Sequence, residues 1–234
     1  MPYKRIMLKI SGEALAGSKQ TGIDHSILKG IAADIKAVHE NGVSTVLVLG
    51  AGNFFRGSMA DELGIDRAAG DYMGMLGTVM NALAMKSALE SLGITACVMT
   101  AFDLEVVAEP YTIRGAKERL AQGQIVIAAA GTGHPYFTTD TAAALRAVEL
   151  GCDVMLKATK VDGVYTEDPQ KKTTAKKIDS ISYIDVIGRQ LKVMDLTSVS
   201  LCMENNLPMI VFDLFEKQAL VKIAAGEEIG TLIS

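Results

Sequence analysis

The sequence contains few of the residues that build disulfide frameworks, zinc sites or aromatic clusters. Among its 234 residues are three cysteines and no tryptophan, and aromatic residues make up 5% of the chain. The cysteines form no CxxC or Cys/His pattern of a zinc site, and an odd number of them does not suggest a set of disulfides. We therefore predict reduced thiols in the core at Cys97, Cys152 and Cys202, as in a protein of the cytoplasm.

Charge and hydropathy argue against two further classes of protein. Lysine and arginine number 23 against 27 acidic residues, the net charge is −4, and no basic tract is present. Binding to a nucleic acid duplex relies on clustered basic residues that neutralise phosphates, so we expect no nucleic-acid partner. Because no apolar run reaches the length of a membrane span or resembles a signal peptide, we expect no membrane partner and a cytoplasmic location.

Two common phosphate-binding motifs are also missing. No GxxxxGK[ST] pattern occurs, which excludes a Walker-type phosphate loop. The glycine-rich stretch from Gly50 to Gly57 is not a dinucleotide fingerprint, because Phe55 stands where that motif needs Gly or Ala. If the chain binds phosphates, a different architecture holds them.

Aliphatic runs alternate with segments of helical periodicity along the chain. Runs such as Val43 to Leu49 and Ile125 to Ala130 are typical of strands that are buried on both faces. The alternation predicts an α/β fold, a three-layer α/β/α sandwich around a mainly parallel sheet, and the absence of a linker predicts a single domain over residues 1–234. We expect a long helix from Asp71 to Leu92 with Asp71 as its cap, although an acid there can also accept hydrogen bonds from the hydroxyls of a ligand.

Charged and glycine-rich segments follow the predicted strands, at the sheet edge where open α/β folds bind ligands. Lys9 lies inside the apolar run Ile6 to Ile10, and a buried ammonium group needs an anion unless it reaches the rim of the fold. Arg56, in the glycine-rich turn after the second strand, carries a planar guanidinium that suits phosphate oxygens. The apolar strand Val154 to Leu156 continues into Lys157 to Lys160, and the turn residues beyond it predict a protruding hairpin or lid.

The segment Gly131 to Asp140 lies between the strand Ile125 to Ala130 and a predicted helix. Its glycines allow backbone N–H groups to approach an anion, and hydroxyls and an acid stand where the helix begins. One reading is a helix cap formed by Thr139 or Asp140. The other is a ligand site, which is favoured because four capping residues, Thr138 to Thr141, stand in a row where one would suffice.

Several of these segments together resemble the bacterial uridylate kinases of the amino acid kinase superfamily. The resemblance extends from about Tyr3 to Ile233 and implies transfer of the γ-phosphoryl group of ATP to UMP, giving UDP and ADP in pyrimidine nucleotide biosynthesis, with Mg²⁺ bound to the nucleotide. Because the UMP phosphate is already ionised, such an in-line transfer needs no general base. The motifs that carry the resemblance are Lys9 to Leu15, Asn53 to Gly57, Gly131 to Gly133, Phe137 to Asp140, and Lys157 to Val164.

By position, the resemblance implies roles for individual residues. ATP is expected to contact Lys9, Ile10, Ser11, Gly12, Gly52, Arg56, Thr159, Tyr165 and Asp168. UMP is expected to contact Ala51, Asp71, Thr132, Gly133, His134, Pro135, Tyr136, Phe137, Thr138 and Thr139. The catalytic residues implied are Lys9, Arg56, Asp140, Lys160 and Asp195, and whether Lys157 or Lys160 faces the phosphates stays open.

The resemblance also implies assembly and regulation. It implies a homohexamer built as a trimer of dimers, with GTP as activator and UTP as inhibitor. The segment matched to the GTP response is Gly17, Ser18, Lys19, Gln20, Thr21 and Gly22, which without the resemblance reads as a mobile surface loop.

Two residues depart from the family pattern. Ala51 stands where a glycine is usual, and since alanine resists positive φ we predict that this residue is not left-handed. His134 stands where the family usually has Asn, and imidazole replaces one amide hydrogen bond but not the donor and acceptor together. Since histidine changes charge near neutral pH, we predict that the Michaelis constant for UMP depends on pH between mild acid and neutral.

Two alternatives stay open on the sequence. A carbamate, acetylglutamate or aspartate kinase of the same superfamily is the nearest, although Phe137 to Asp140 favour a nucleotide acceptor. A uridylate-sensing regulator without turnover is the second. Retention of Lys9, Arg56 and Asp140 argues against a sensor, which has no use for residues that bind the γ-phosphate.

Overall fold

A computed structural model describes residues 2–19, 21–55, 57–167, 172, 174–191 and 193–234. Within these residues no helix combines the length and the apolar character that crossing a bilayer requires. The helices there are α1 (Gly12–Leu15), α2 (His25–Glu40), α3 (Gly57–Glu62), α4 (Arg67–Ser91), α5 (Ile113–Ala121), α6 (Thr139–Leu150), α7 (Tyr183–Gly188), α8 (Leu196–Glu204) and α9 (Ala219–Ala225). The strands are β1 (Arg5–Ile10), β2 (Ser44–Leu49), β3 (Ala96–Thr100), β4 (Glu109–Pro110), β5 (Ile125–Ala129), β6 (Val154–Thr159), β7 (Val164–Tyr165), β8 (Lys177–Ile178), β9 (Ser180–Ile181), β10 (Met209–Asp213) and β11 (Thr231–Ile233).

One nine-stranded sheet runs through the fold in the order β4-β3-β5-β2-β1-β6-β10-β11-β9. Every neighbouring pair in it is parallel except β10 and β11, which are antiparallel. The carboxyl ends of the parallel strands β1, β2, β5 and β6 therefore meet at one edge. The predicted α/β class with a mainly parallel central sheet is confirmed.

Two apolar clusters cover the two faces of the sheet and give the three layers. The first joins the sheet to α2, α4 and α9, and the second joins it to α5, α6, α7 and α8. Side chains alternate along each strand, so Ile6, Leu8 and Ile10 face the first cluster while Met7 faces the second. Lys9 has the same parity as Met7 and therefore points towards the layer that contains α6.

Helix α4 begins earlier than the sequence predicts, and the prediction that Asp71 caps it is wrong. Asp66 is the cap, and its carboxylate accepts hydrogen bonds from the backbone N–H groups of Ala68 and Ala69 at 3.0 and 3.3 Å. Asp71 stands one turn inside the helix, which leaves its carboxylate available for contacts with the loops above the sheet.

The segment after β6 forms the predicted hairpin in part, since β7 and β8 pair antiparallel. The end of the chain adds a strand that the sequence did not indicate. Residues of β11 pair with β10 on one side and with β9 on the other, which closes this end of the sheet with short strands.

Candidate functional site

Two lysines and one aspartate form a compact charged cluster at the carboxyl ends of β1 and β6. Lys9 and Lys157 are direct neighbours in the parallel register of the two strands. Asp140, in the first turn of α6, forms ion pairs with both ammonium groups, with 2.7 Å from Lys9 Nζ to Oδ1 and 2.7 Å from Lys157 Nζ to Oδ2. Lys157 Nζ also donates a 2.5 Å hydrogen bond to the Val193 carbonyl.

Burial makes this cluster electrostatically strong. The side chains of Lys9, Lys157 and Asp140 are 9%, 14% and 14% exposed. Burial raises the pKa of the Asp140 carboxyl, but the charges of Lys9 and Lys157 outweigh burial and hold the pKa below its ordinary value. Burial lowers the pKa of the Lys157 ammonium group, and the negative charge of Asp140 offsets part of this shift. Lys9 and Lys157 share one contacting carboxylate, and the charge of Asp195 also acts on Lys157. An anion at the mouth of the cluster would give the two ammonium groups a further partner.

The structure distinguishes between the two lysines at the end of β6. Lys157 lies inside the strand and contacts Asp140, whereas Lys160 lies just beyond the strand and is exposed. Side chains alternate along a strand, so the face that carries Lys9 also carries Lys157. Of the two lysines, the one that the geometry brings to Lys9 and Asp140 is Lys157.

Thr138, rather than Thr139 or Asp140, caps helix α6. Its hydroxyl accepts hydrogen bonds from the backbone N–H groups of Asp140 and Thr141 at 3.1 and 3.2 Å. Because Thr138 satisfies these groups, the Asp140 carboxylate is left to the two lysines. The reading of Thr139 or Asp140 as a simple helix cap is therefore wrong.

Asp195 is the cap of the neighbouring helix α8. It also contacts the first turn of α6. Its carboxylate accepts hydrogen bonds from the hydroxyls of Thr138 at 2.5 Å and Thr141 at 2.8 Å, and from the backbone N–H of Ser198 at 2.9 Å. Burial raises the pKa of Asp195, but these hydrogen bonds outweigh it and lower the pKa. The contacts connect α8 to the segment that holds Asp140.

A cleft of about 140 Å³ opens beside the cluster, between α4 and the loops that follow β2 and β5. Its walls combine apolar surface with hydroxyls and one carboxylate. Six residues expected at UMP line it, namely Ala51, Asp71, Thr132, Phe137, Thr138 and Thr139. Five residues of the wall that sequence reasoning missed are Phe55, Gly70, Gly74, Met75 and Thr78. The wall also contains Gly131, the first residue of the loop that the sequence indicated as a ligand site.

Thr78 holds the entry to the loop after β5. Its hydroxyl accepts the backbone N–H of Ala130 at 2.8 Å and donates to the Met75 carbonyl at 2.6 Å. Ala130 is fully buried with φ of 62°, a conformation that costs energy for a residue with a Cβ. A polar residue in the middle of α4 was the one sequence signal for this contact.

The far side of the same loop is fastened to α4. Tyr136 has φ of 72°, and its backbone N–H donates to Asp71 Oδ2 at 2.7 Å. The same carboxylate oxygen accepts Arg67 Nε at 2.8 Å, and the Arg67 guanidinium lies 5.5 Å from the centroid of the Tyr136 ring. Asp71 therefore connects the helix to the loop at the rim of the cleft.

The two departures from the family pattern lie in different surroundings. Ala51 is buried beside the cleft and is not among the described residues with positive φ, so the prediction for its backbone is confirmed. His134 is exposed, and its backbone N–H donates to Thr132 Oγ1 at 3.2 Å. His134, Gly133, Pro135 and Tyr136 do not line the cleft.

The described residues that are expected at ATP lie at and beyond the carboxyl ends of β1, β2 and β6. Ser11 caps α1, and Gly12 follows it directly at the end of β1. Thr159 Oγ1 donates to the Val161 carbonyl at 2.7 Å, and the Tyr165 hydroxyl donates to Asp162 Oδ1 at 2.7 Å. Arg56 and Asp168, also expected at ATP, lie outside the described residues, as does Gln20 of the segment Gly17 to Gly22.

The described part of the chain contains no group of three or more His, Cys, Asp or Glu side chains arranged to hold a metal ion. The Asp140 carboxylate is already paired with the ammonium groups of Lys9 and Lys157.

Comparisons with known proteins agree on one family. The model of the amino acid kinase family matches residues 4–213. The structure resembles that of UMP kinase from Bacillus anthracis, with 39% identity, 100% of this chain and 97% of that chain covered, and a TM-score of 0.97. UMP kinase from Ureaplasma parvum shows 35% identity over 100% of both chains with a TM-score of 0.94. Uridylate kinase from Archaeoglobus fulgidus shows 28% identity, covers 98% and 99% of the two chains, and has a TM-score of 0.77.

Proposed function

From the premise that this chain belongs to the amino acid kinase family, we propose that it is an enzyme that transfers the γ-phosphoryl group of ATP to UMP. The products are UDP and ADP, and the reaction is a step of pyrimidine nucleotide biosynthesis. The observation that carries the proposal is the buried cluster of Lys9, Asp140 and Lys157 beside a cleft lined by hydroxyls.

The reaction needs positioning and charge stabilisation more than proton transfer. An oxygen of the UMP phosphate attacks the γ-phosphorus, a new P–O bond forms, and the bond to the β,γ-bridging oxygen breaks, so that its electron pair leaves on ADP. Because the attacking oxygen is already ionised, no side chain has to remove a proton. Lys9 and Lys157 supply fixed positive charge where the transferred group gains negative charge, and Asp140 holds both lysines in place.

The acceptor side is the cleft between α4 and the loops after β2 and β5. We propose that Asp71 accepts hydrogen bonds from the ribose hydroxyls, and that Thr132 to Thr139 contact the base and phosphate. Thr138 and Thr139 line the cleft and Asp140 follows them directly. Substrate contacts in the loop are thus connected through a rigid helix start to the catalytic charges.

The donor side uses the turn after β1, with Lys9 to Gly12 at the ATP phosphates. Mg²⁺, when bound with ATP, would supply neutralising charge on the phosphates. We propose that the nucleotide holds it, since the Asp140 carboxylate is already paired with the two lysines.

Regulation and assembly follow from the same relationship. We propose GTP as activator through Gly17 to Gly22, UTP as inhibitor, and a homohexamer arranged as a trimer of dimers. The hexamer is tested by the molar mass in solution, and a monomer would contradict it. A cytoplasmic location stays a prediction of the sequence.

The proposed reaction is tested by ADP release with UMP, CMP, dTMP and acetylglutamate supplied in parallel as acceptors, with ATP alone as the background. We expect UMP to give the highest kcat/KM. Equal rates with the four acceptors would contradict the assignment to UMP, and a preference for acetylglutamate would move the chain to another branch of the family.

A further inference from the structure

Two buried asparagines, Asn53 and Asn81, form a reciprocal amide pair beneath the phosphate-binding turns. They are 1% and 0% exposed, and neither is among the residues expected to bind a substrate. Asn53 Nδ2 donates to Asn81 Oδ1 at 3.0 Å, and Asn81 Nδ2 donates to Asn53 Oδ1 at 2.8 Å. Such a closed pair requires a donor and an acceptor on both side chains, which an amide supplies and an acid or an aliphatic residue does not.

The second N–H of each amide donates a hydrogen bond to the backbone of a different loop. Asn81 Nδ2 donates to the Gly50 carbonyl at 2.7 Å, at the end of β2. Asn53 Nδ2 donates to the Gly22 carbonyl at 2.8 Å, and the Gly22 backbone N–H donates to the Asn53 carbonyl at 2.9 Å. All four N–H donors of the two amides are therefore used, and the pair connects α4 to the turn after β2 and to the end of the segment Gly17 to Gly22.

The turn after β1 packs directly on the same pair. A Cβ added to Gly12 would lie 2.6 Å from the Gly52 nitrogen and 2.8 Å from the Gly50 carbonyl oxygen, and it would overlap Asn53 Oδ1. The backbone of the turn after β1 thus packs on the backbone of the turn after β2 with no space for a side chain at Gly12. Asn53 Oδ1 is part of this contact, so the amide pair adjoins the place where the two turns meet.

We propose that Asn53 and Asn81 act as one positioning unit, which holds the ATP-side turn at Gly12 in register with the turn Gly50 to Gly52, where Ala51 is expected at UMP and Gly52 at ATP, for phosphoryl transfer. The inference rests on the proposed function, because it assigns the two turns to two phosphate-bearing substrates. Neither amide lines the cleft, and the pair acts through the backbone of the turns. Through Gly22 it also makes the position of the segment Gly17 to Gly22 depend on the same amides.

The test is a double-mutant cycle of Asn53→Ala and Asn81→Ala. A displacement of about 1 Å between reacting groups lowers rates by about 10²-fold, so we expect each single variant to lose about that factor in kcat. If the two amides work as one unit, the double variant loses at most about threefold more than either single variant. UMP binding measured by calorimetry keeps the wild-type stoichiometry per chain.

A matched control separates positioning from general loss of stability. Thr45 is also a fully buried polar residue, and its hydroxyl donates to the Val43 carbonyl at 3.2 Å at the opposite end of β2. Thr45→Val is expected to lower the melting temperature and to leave kcat unchanged. Should an alanine variant fail to fold, Asn81→Ser takes its place, since the serine hydroxyl can keep part of the hydrogen bonding. We then expect a loss of about tenfold in kcat.

Three results would overturn the inference. The first is a kcat within threefold of the wild type in either folded single variant. The second is a double variant whose loss is the product of the single losses, which would mean that the amides act independently. The third is a loss of kcat matched by an equal loss of UMP-binding sites, which would mean that part of the sample is unfolded and that the folded part has wild-type activity. The kinetics use whichever of the four acceptors the wild type prefers. If that acceptor is not UMP, the proposed function fails, but the double-mutant cycle can still be measured and interpreted.

Discussion

Replacement of Asp140 by asparagine is the most direct test of the charged cluster. The substitution keeps the size of the side chain but removes the negative charge that both Lys9 and Lys157 contact at 2.7 Å. Two buried ammonium groups on neighbouring strands then lose the one carboxylate that both contact, while the more weakly coupled Asp195 still attracts Lys157. Removing one partner of a buried ion pair costs about 3–5 kcal/mol, because the other partner stays buried and unpaired.

This cost converts to a shift of the melting temperature. The entropy of unfolding is about 2.1 cal/mol/K per residue, or about 0.5 kcal/mol/K for a chain of this length, so a loss of about 4 kcal/mol lowers the melting temperature by about 8 °C. The assay is thermal unfolding followed by circular dichroism at one fixed protein concentration. As control, Asp103→Asn removes an exposed carboxylate and is expected to change the melting temperature by about 1 °C or less.

The difference between Asp140→Asn and the wild type also has a predicted pH dependence. The pKa of Asp140 is depressed in the folded protein, so its stabilising contribution is fully present above the pKa of the unfolded state, about 3.9. The contribution is lost as the pH falls through the lower folded-state pKa, and the two melting curves should converge there. The double variant Asp140→Asn, Lys157→Met removes one of the unpaired cations and should recover part of the loss. A melting temperature of Asp140→Asn within 2 °C of the wild type at neutral pH would refute the reasoning.

Three further predictions concern the site. Lys9→Ala should bind UMP with near wild-type affinity in calorimetry but lose at least about 10²-fold in kcat, because its charge acts on the transferred group; an unchanged kcat would contradict this. Lys157→Met should lose a similar factor while Lys160→Met stays within about threefold of the wild type, since only the first contacts Asp140; the reverse order in steady-state kinetics would contradict the assignment. The Michaelis constant for UMP should vary between mild acid and neutral pH, and His134→Asn should flatten this dependence; an identical profile in the variant would rule out His134 as its source.

The strands and the strand-end loops could be predicted because local pattern determines them. Continuous aliphatic runs identify β1, β2 and β5, and a lysine inside such a run already indicates an anion or an acid nearby. The site lies where those strands end because parallel strands share one edge, so Lys9 and the loop up to Asp140 were found together from the sequence.

The choice between two lysines depended on information that no local pattern carries. The strand β6 continues to Thr159, so Lys157 lies within it and pairs in register with Lys9, while Lys160 falls outside. The sequence showed an apolar run that stopped before Lys157, and the three extra strand residues are fixed by pairing with β1 and β10.

The start of α4 and the amide pair were missed for related reasons. Residues 67–70 carry little apolar character, so the helix pattern became visible only near Asp71, and the true cap Asp66 was overlooked. Asn81 reads as one polar residue in an apolar helix. Its partner Asn53 lies 28 positions away, and only the packing of α4 on the turn after β2 brings the two together.

The place of β1 at the centre of the sheet also sets the order in which the charged cluster can assemble during synthesis. Ile6 pairs with Thr45 on one side and with Val154, 148 positions later, on the other. Lys9 and Asp140 leave the ribosome before Lys157, which follows Asp140 by 17 residues, or about 1–3 s at 5–20 residues per second. The carboxylate is thus available to the first lysine before the second arrives, so the growing chain need not bring two like charges together unscreened.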